Sequence, residues 1–207
     1  MRDVLLLFGM QGSGKGTQGE RIMEKYGHEG ISAGQLLRDK AVTDPRINEA
    51  QKRGVLVPDE IVETTVEEKI DSLDEDQRIF FDGFPRSDMQ LEMYKRITER
   101  YDFKSLAIMI EIPEAEAIKR ISTRYTCPSC GAVDFKPGKC KCGGELERRE
   151  DDTEEAVKKR IEIFKADTAP LVEYFKDKGE YIEINGVGTF DEVTRRIFKE
   201  LDKYYQE

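Results

Sequence analysis

Apolar residues are arranged along this chain in two alternating patterns. An unbroken run at Val4–Phe8 and short apolar-rich stretches at 78–82 (Arg-Ile-Phe-Phe-Asp), 106–112 (Leu-Ala-Ile-Met-Ile-Glu-Ile) and 181–184 (Tyr-Ile-Glu-Ile) predict strands, the first buried on both faces and leading into a glycine-rich turn. Between the runs, apolar positions recur at helical spacing. Residues 16–26 place Ile22, Met23 and Tyr26 on one face with Gly27 as a stop; further helices are expected near 35–41, 59–72, 88–100, 114–124, 153–177 and 189–205. Strands alternating with helices predict an α/β fold, a parallel sheet covered by helices on both faces.

Two stretches interrupt that alternation. Residues 32–61 hold short helical patterns broken by Pro45, Gly54 and Pro58, which predicts a small helical insert, and residues 125–149 are rich in cysteine, glycine and proline, which favours turns. The expected organisation is a core made of 1–31, 62–124 and 150–207, an insert at 32–61 and a small turn-rich segment at 125–149.

At 207 residues, 38% hydrophobic and 37% charged, the chain suits one domain with inserted subdomains. Its longest apolar stretch is Val4–Phe8 and Asp3 stands where a leader would be basic, so a soluble, cytoplasmic protein with no membrane contact is expected. The net charge of −9 disfavours a general nucleic-acid binder. Between Lys119 and Arg160, however, eleven basic residues face eight acidic ones, a local excess suited to a smaller anion. The single histidine, His28, reads as a surface loop residue.

The strongest motif is Gly9-Met-Gln-Gly-Ser-Gly-Lys-Gly-Thr17, which fits a phosphate-binding loop except that Gly16 replaces the usual hydroxyl residue, with Thr17 one place later. Glycines let successive N–H groups face a phosphate, the following helix adds its positive N-terminal end, and Lys15 supplies a compact cation. Arg120 and Arg124, at i and i+4, are expected on one helical face where both reach a nucleotide. Few histidines and many arginines suit phosphoryl transfer, which needs charge stabilisation more than proton chemistry. All four cysteines lie in Cys127-Pro-Ser-Cys130-Gly and Cys140-Lys-Cys142-Gly, two knuckles that could hold one tetrahedral ion. The second knuckle is one residue short and nine residues separate the two, so disulfides or free thiols remain the alternatives.

The loop, together with Ile31-Ser-Ala-Gly-Gln-Leu-Leu-Arg38, Gly54-Val-Leu-Val-Pro-Asp-Glu60, Asp82-Gly-Phe-Pro-Arg86 with Gln90, Arg120 with Arg124, and Arg148-Arg-Glu-Asp-Asp152 followed by Arg160, resembles the adenylate kinases among the nucleoside monophosphate kinases. Proline usually stands where this loop has Gln11. The resemblance implies a P-loop kinase core, an acceptor-binding insert and a zinc-bearing lid of shortened type, acting as a monomer on Mg·ATP and AMP to give ADP. It assigns donor binding to Gly12, Ser13, Gly14, Lys15, Gly16, Thr17, Arg120, Arg124 and Gly188. Acceptor binding falls to Ala33, Arg38, Val55, Leu56, Val57, Gly83, Phe84, Pro85, Arg86, Gln90, Arg149 and Arg160. Lys15, Arg86, Arg120, Arg149 and Arg160 are the implied catalytic residues, Asp82 orients magnesium through water, and Cys127, Cys130, Cys140 and Cys142 hold a structural zinc ion. Asp59 and Glu60 read as helix caps, and Asp151 and Asp152 as hinge or structural acids.

Two signals bear on acceptor identity, and together they favour AMP. Ala33 resembles the uridylate and cytidylate kinases, whereas Gln90, the Leu56–Glu60 stretch and the metal-bearing lid resemble those that take AMP. A zinc-ribbon nucleic-acid binder would need aromatic and basic residues interleaved on the ribbon, where Phe135 alone is available; a GTPase switch would need an Asn-Lys-x-Asp motif that the chain lacks.

Overall fold

The computed structural model describes residues 2–53, 57–129, 131–148, 152, 154–168 and 170–206, with the backbone alone at 51–53, 154 and 167. Among them the order is β1 (Arg2–Phe8), α1 (Lys15–Tyr26), β2 (His28–Ile31), α2 (Ala33–Lys40), α3 (Pro45–Arg53), α4 (Asp59–Asp71), β3 (Arg78–Asp82), α5 (Asp88–Tyr101), β4 (Phe103–Glu111) and α6 (Glu114–Thr123). Two short strand pairs follow, β5 (Tyr125–Thr126), β6 (Val133–Asp134), β7 (Gly138–Lys139) and β8 (Glu145–Leu146). The chain then runs through α7 (Glu154–Ile163), a π-helical turn (Phe164–Thr168), α8 (Leu171–Asp177), β9 (Tyr181–Asn185) and α9 (Phe190–Tyr204).

Five strands form one sheet in the order β2-β3-β1-β4-β9, the α/β architecture expected from the alternation. Both β1 and β2 run parallel to β3, with Leu7 opposite Asp82 and Ile31 opposite Phe81. No helix among the described residues is long and apolar enough to cross a membrane.

The chain divides into two compact units: the first holds residues 1–7, 22–107 and 171–181, the second 8–21, 108–170 and 182–207. The first has an aromatic interior. Phe81 lies 5.4 Å from Phe84 and 5.9 Å from Tyr94, and Tyr94 lies 5.7 Å from Phe175. The Tyr94 hydroxyl meets Ser105 Oγ at 2.6 Å, so its polar end is satisfied where burial pushes its pKa up. The second unit packs Ile112, Ala117, Ile121, Val157 and Ile161 into one apolar cluster. Its helix α9 opens with a capping box in which Thr189 and Glu192 bond each other's backbone N–H, satisfying donors that a helix start leaves open.

Several sequence expectations are corrected. His28 opens the strand β2 and is buried, at 7% exposure, instead of lying in a surface loop. The single helix expected over 153–177 is interrupted by the π-helical turn. Pro58, not Asp59 or Glu60, is the N-cap of α4; the two acids lie in its first turn, where they suit the helix dipole. Finally, α6 ends at Thr123, so Arg124 is an extended C-cap residue and not part of one helical face with Arg120.

Candidate active site

In the second unit the turn after β1 is shaped by Gly9, Gly12 and Gly14, all with positive φ. Side chains there would collide: a Cβ on Gly12 would sit 2.9 Å from the Ala117 carbonyl, and one on Gly9 2.7 Å from that of Ile110. Lys15 begins α1 and folds its ammonium back over the turn, donating to the Met10 carbonyl at 3.0 Å and to that of Gly9. Ser13, 1% exposed, has a hydroxyl with no hydrogen-bond partner among the described residues, as a polar ligand at the loop would require. Gly16 is exposed and Thr17 half-buried. The helix behind the loop is anchored through Gln18, which donates to the Phe190 carbonyl at 2.9 Å and accepts from Thr194 at 2.8 Å.

Two expected arginines, Arg120 and Arg160, bond that turn, and a third, Arg124, shares a carboxylate with Arg160. Arg120 donates to Glu116 at 2.8 Å, to the Gly12 carbonyl at 3.3 Å, and to the carbonyls of Gly186 at 3.0 Å and Gly188 at 3.4 Å. It therefore links the phosphate loop to the segment leading into α9. Arg124 grips Asp152 through two bonds, at 2.6 and 2.8 Å. Arg160 approaches the same carboxylate at 3.6 Å and donates to Gln11 Oε1 at 3.3 Å. Asp152, whose side chain is 7% exposed, is thus shared by two guanidinium groups, a favourable arrangement for otherwise unpaired buried charge. Near the loop, Phe135 stacks on Phe190 at 5.9 Å, and the Phe190 ring lies 3.7 Å from where a Cβ on Gly14 would be.

In the first unit Asp82 closes β3, exposed at its C-terminal end. The turn that follows brings Arg86 back over Gly83: its Nε donates to the Gly83 carbonyl at 2.6 Å, and a Cβ at Gly83 would lie 1.9 Å from the guanidinium. Gln90 accepts from the Arg86 backbone N–H at 2.8 Å, while Phe84, 2% exposed, pins the turn into the aromatic interior and Pro85 follows it through a cis peptide bond. On α2, Ala33 is buried and Arg38 donates to Gln35 at 2.7 Å. Val57 is half-buried. Val55, Leu56, Cys130 and Arg149 lie outside the described residues.

The cysteine segment fits a thiophilic ion. The sulfurs of Cys127, Cys140 and Cys142 lie within 4.8 Å of one another, with Cys127 and Cys142 3.5 Å apart. Zinc–sulfur bonds of about 2.3 Å in a tetrahedron require sulfurs about 3.8 Å apart. Backbone turns aim the thiols: Gly131 donates to the Cys127 carbonyl at 2.8 Å and Gly143 to that of Cys140 at 2.9 Å, each glycine having positive φ. Gly144 backs onto the group, since a Cβ there would come 2.9 Å from Cys127 Sγ.

A family model described as adenylate kinase matches residues 7–180. The chain belongs to the adenylate kinase family. A relative named adenylate kinase from Thermodesulfovibrio yellowstonii is 39% identical, the alignment covering 96% of this chain and 99% of the relative. Others with that name, from Archaeoglobus fulgidus and Pyrococcus furiosus, are 37% and 39% identical over 96% of this chain, and over 98% and 95% of their own lengths. Family membership gives the glycine turn, the arginines around it and the thiol group one setting. Three partners of these arginines are not apparent as such in the sequence. Glu116 could have been found from its i, i+4 spacing to Arg120, whereas Asp152 and Gln11 depend on long-range packing.

Proposed function

We propose that the chain catalyses Mg·ATP + AMP ⇌ 2 ADP, direct in-line transfer of a phosphoryl group between two nucleotides. The observation that carries this reading is the glycine turn with Lys15 folded over it, Arg120 and Arg160 bonded to it and Arg124 joined to Arg160 through Asp152, in a chain of the adenylate kinase family. The N–H groups from Gly12 to Thr17 and the Lys15 ammonium hold the donor phosphates. Arg120 packs on the donor base beside Gly188, and Arg124 reaches its phosphates. Ala33, Arg38, Val55–Val57, Gly83–Arg86 and Gln90 hold the acceptor. Arg86, Arg149 and Arg160 stabilise charge on the transferring group, with Lys15 and Arg120 the other catalytic residues. Magnesium bound with ATP neutralises phosphate charge, and Asp82 holds it through water. A closed site of Cys127, Cys130, Cys140 and Cys142 carries a structural zinc ion, in place of a hydrophobic core that so short a segment cannot build.

The relatives named adenylate kinase favour AMP over UMP or CMP as acceptor. Loss of a threonine hydroxyl at Ala33 weakens its binding by roughly 1 kcal/mol. The same reading divides the chain into a core of 1–31, 62–124 and 150–207, an acceptor insert at 32–61 and a lid at 125–149 that excludes water. It acts as a cytoplasmic monomer without nucleic-acid or membrane partners. Chromatography of nucleotides after incubation with Mg·ATP and, separately, AMP, UMP, CMP or GMP tests the reading. ADP formed chiefly with AMP is the expected result; preferential phosphorylation of UMP or CMP would overturn the acceptor assignment.

A further inference from the structure

Gln11 departs from the proline usual in this turn, and its side chain has a defined partner. Its Oε1 accepts a hydrogen bond from Arg160 Nη1 at 3.3 Å, 149 positions along the chain. Arg160 in turn approaches Asp152 at 3.6 Å, and Asp152 is gripped by Arg124. The side chains of Arg160, Arg124 and Asp152 are 24%, 19% and 7% exposed, so the group is largely withdrawn from water. We propose that Gln11 is a positioning residue for the transfer reaction, acting through Arg160: its amide oxygen fixes the direction of that guanidinium from the phosphate loop itself.

The chemistry favours an amide at this place. A neutral acceptor orients a guanidinium without cancelling its charge. A carboxylate at position 11 would hold Arg160 as well but bring a negative charge to a loop built for phosphates. Proline offers no side-chain acceptor, so a chain with proline there must orient the arginine by other means.

This inference rests on the proposed role of Arg160, and the test separates the two. Turnover and KM for both nucleotides are measured for the wild type, Gln11→Met, Arg160→Lys and the double variant, with thermal melting of each. Methionine keeps the length of glutamine and removes the acceptor. Gln11→Met is expected to lower kcat about fivefold with either KM changed less than twofold and melting unchanged, the loss of one charge-assisted hydrogen bond of modest geometry. In the Arg160→Lys background the same substitution is expected to change kcat less than 1.5-fold. An equal fall in both backgrounds, or wild-type kcat in Gln11→Met, overturns the positioning role. Wild-type kcat in Arg160→Lys instead overturns the catalytic role of that arginine, and with it the route through which Gln11 acts. If Gln11→Met melts lower, Gln11→Leu of similar volume is compared with it; a kcat that tracks melting across the two variants also overturns the proposal.

Discussion

The two units of this molecule differ in whether they bury charge beside neutral polar groups. The first keeps them neutral: His28 lies within β2 with a pKa lowered to about 4, chiefly by burial and then by the nearby Arg78 charge, and Tyr94 is paired with the hydroxyl of Ser105. The second buries charge, placing Asp152 between Arg124 and Arg160. The arginines assigned to the site also differ in reach. Arg86 and Arg38 bond groups three or four positions away, Gly83, Gln90 and Gln35, whereas Arg120, Arg124 and Arg160 bond partners as far as 108, 28 and 149 positions off. A unit whose buried polar groups are neutral and one that also buries an ionic network should answer differently to metal removal, pH and mutation.

The largest contrast concerns the metal. Zinc binding in such sites is worth on the order of 10 kcal/mol. Hydrogen exchange after chelation should therefore expose the Gly131 and Gly143 amides while those of β3 stay protected; unchanged protection at both knuckles would sink the zinc assignment. Next is Arg86→Ala, expected to lower turnover by about 10²-fold, within reach of what arginines contribute to phosphoryl transfer. Turnover near that of the wild type would remove Arg86 from the mechanism, and Arg149→Ala is read the same way.

A smaller effect, peculiar to the neutral unit, comes from His28. Its pKa of about 4 lies below the ordinary 6.5, so between those values the unfolded chain binds a proton that the folded chain refuses. Stability is full above pH 6.5 and falls as the pH drops toward 4, by about 2 kcal/mol between pH 7.5 and pH 5. Urea titrations at the two pH values should show that His28→Gln loses this increment relative to the wild type; parallel behaviour would show that His28 does not titrate as described. Smallest is Asp152→Asn, which weakens the grip on Arg124. At roughly 1 kcal/mol it should raise KM for ATP about fivefold with KM for AMP unaffected, and an equal rise in both would deny the ionic network a donor-side role.

These differences also explain what could be read from the sequence. The strand–turn–helix at the phosphate loop was legible because each part is local: an apolar run, glycines where φ must be positive, a lysine opening the helix. Arg86 with Gln90 was legible for the same reason. Asp152 was not, because nothing near it in sequence announces a guanidinium partner. His28 was misplaced because a four-residue strand, His-Glu-Gly-Ile, lacks the apolar run that marked the other strands; its burial comes from pairing with β3. Residues 153–177 looked like one helix because apolar spacing does not register a π-helical turn, which lets Val157 and Ile161 face one interior and Leu171, Val172 and Phe175 another without sharing a stripe. The cysteine spacing pointed to a metal, and Cys127, Cys140 and Cys142, two of them from the shorter knuckle, come together in a group that could hold one.

That shorter knuckle bears on how such lids can vary in length. In the first, the glycine N–H reaches back four positions to Cys127; in the second it reaches back three to Cys140. Both close on a glycine of positive φ, at 74° and 90°. What the two turns share is the left-handed residue that ends them, and not the number of residues they span. The turn therefore closes with either number of residues inside it, as long as that glycine survives. Replacing Gly143 with a β-branched residue should be more damaging than inserting a residue between Cys140 and Cys142.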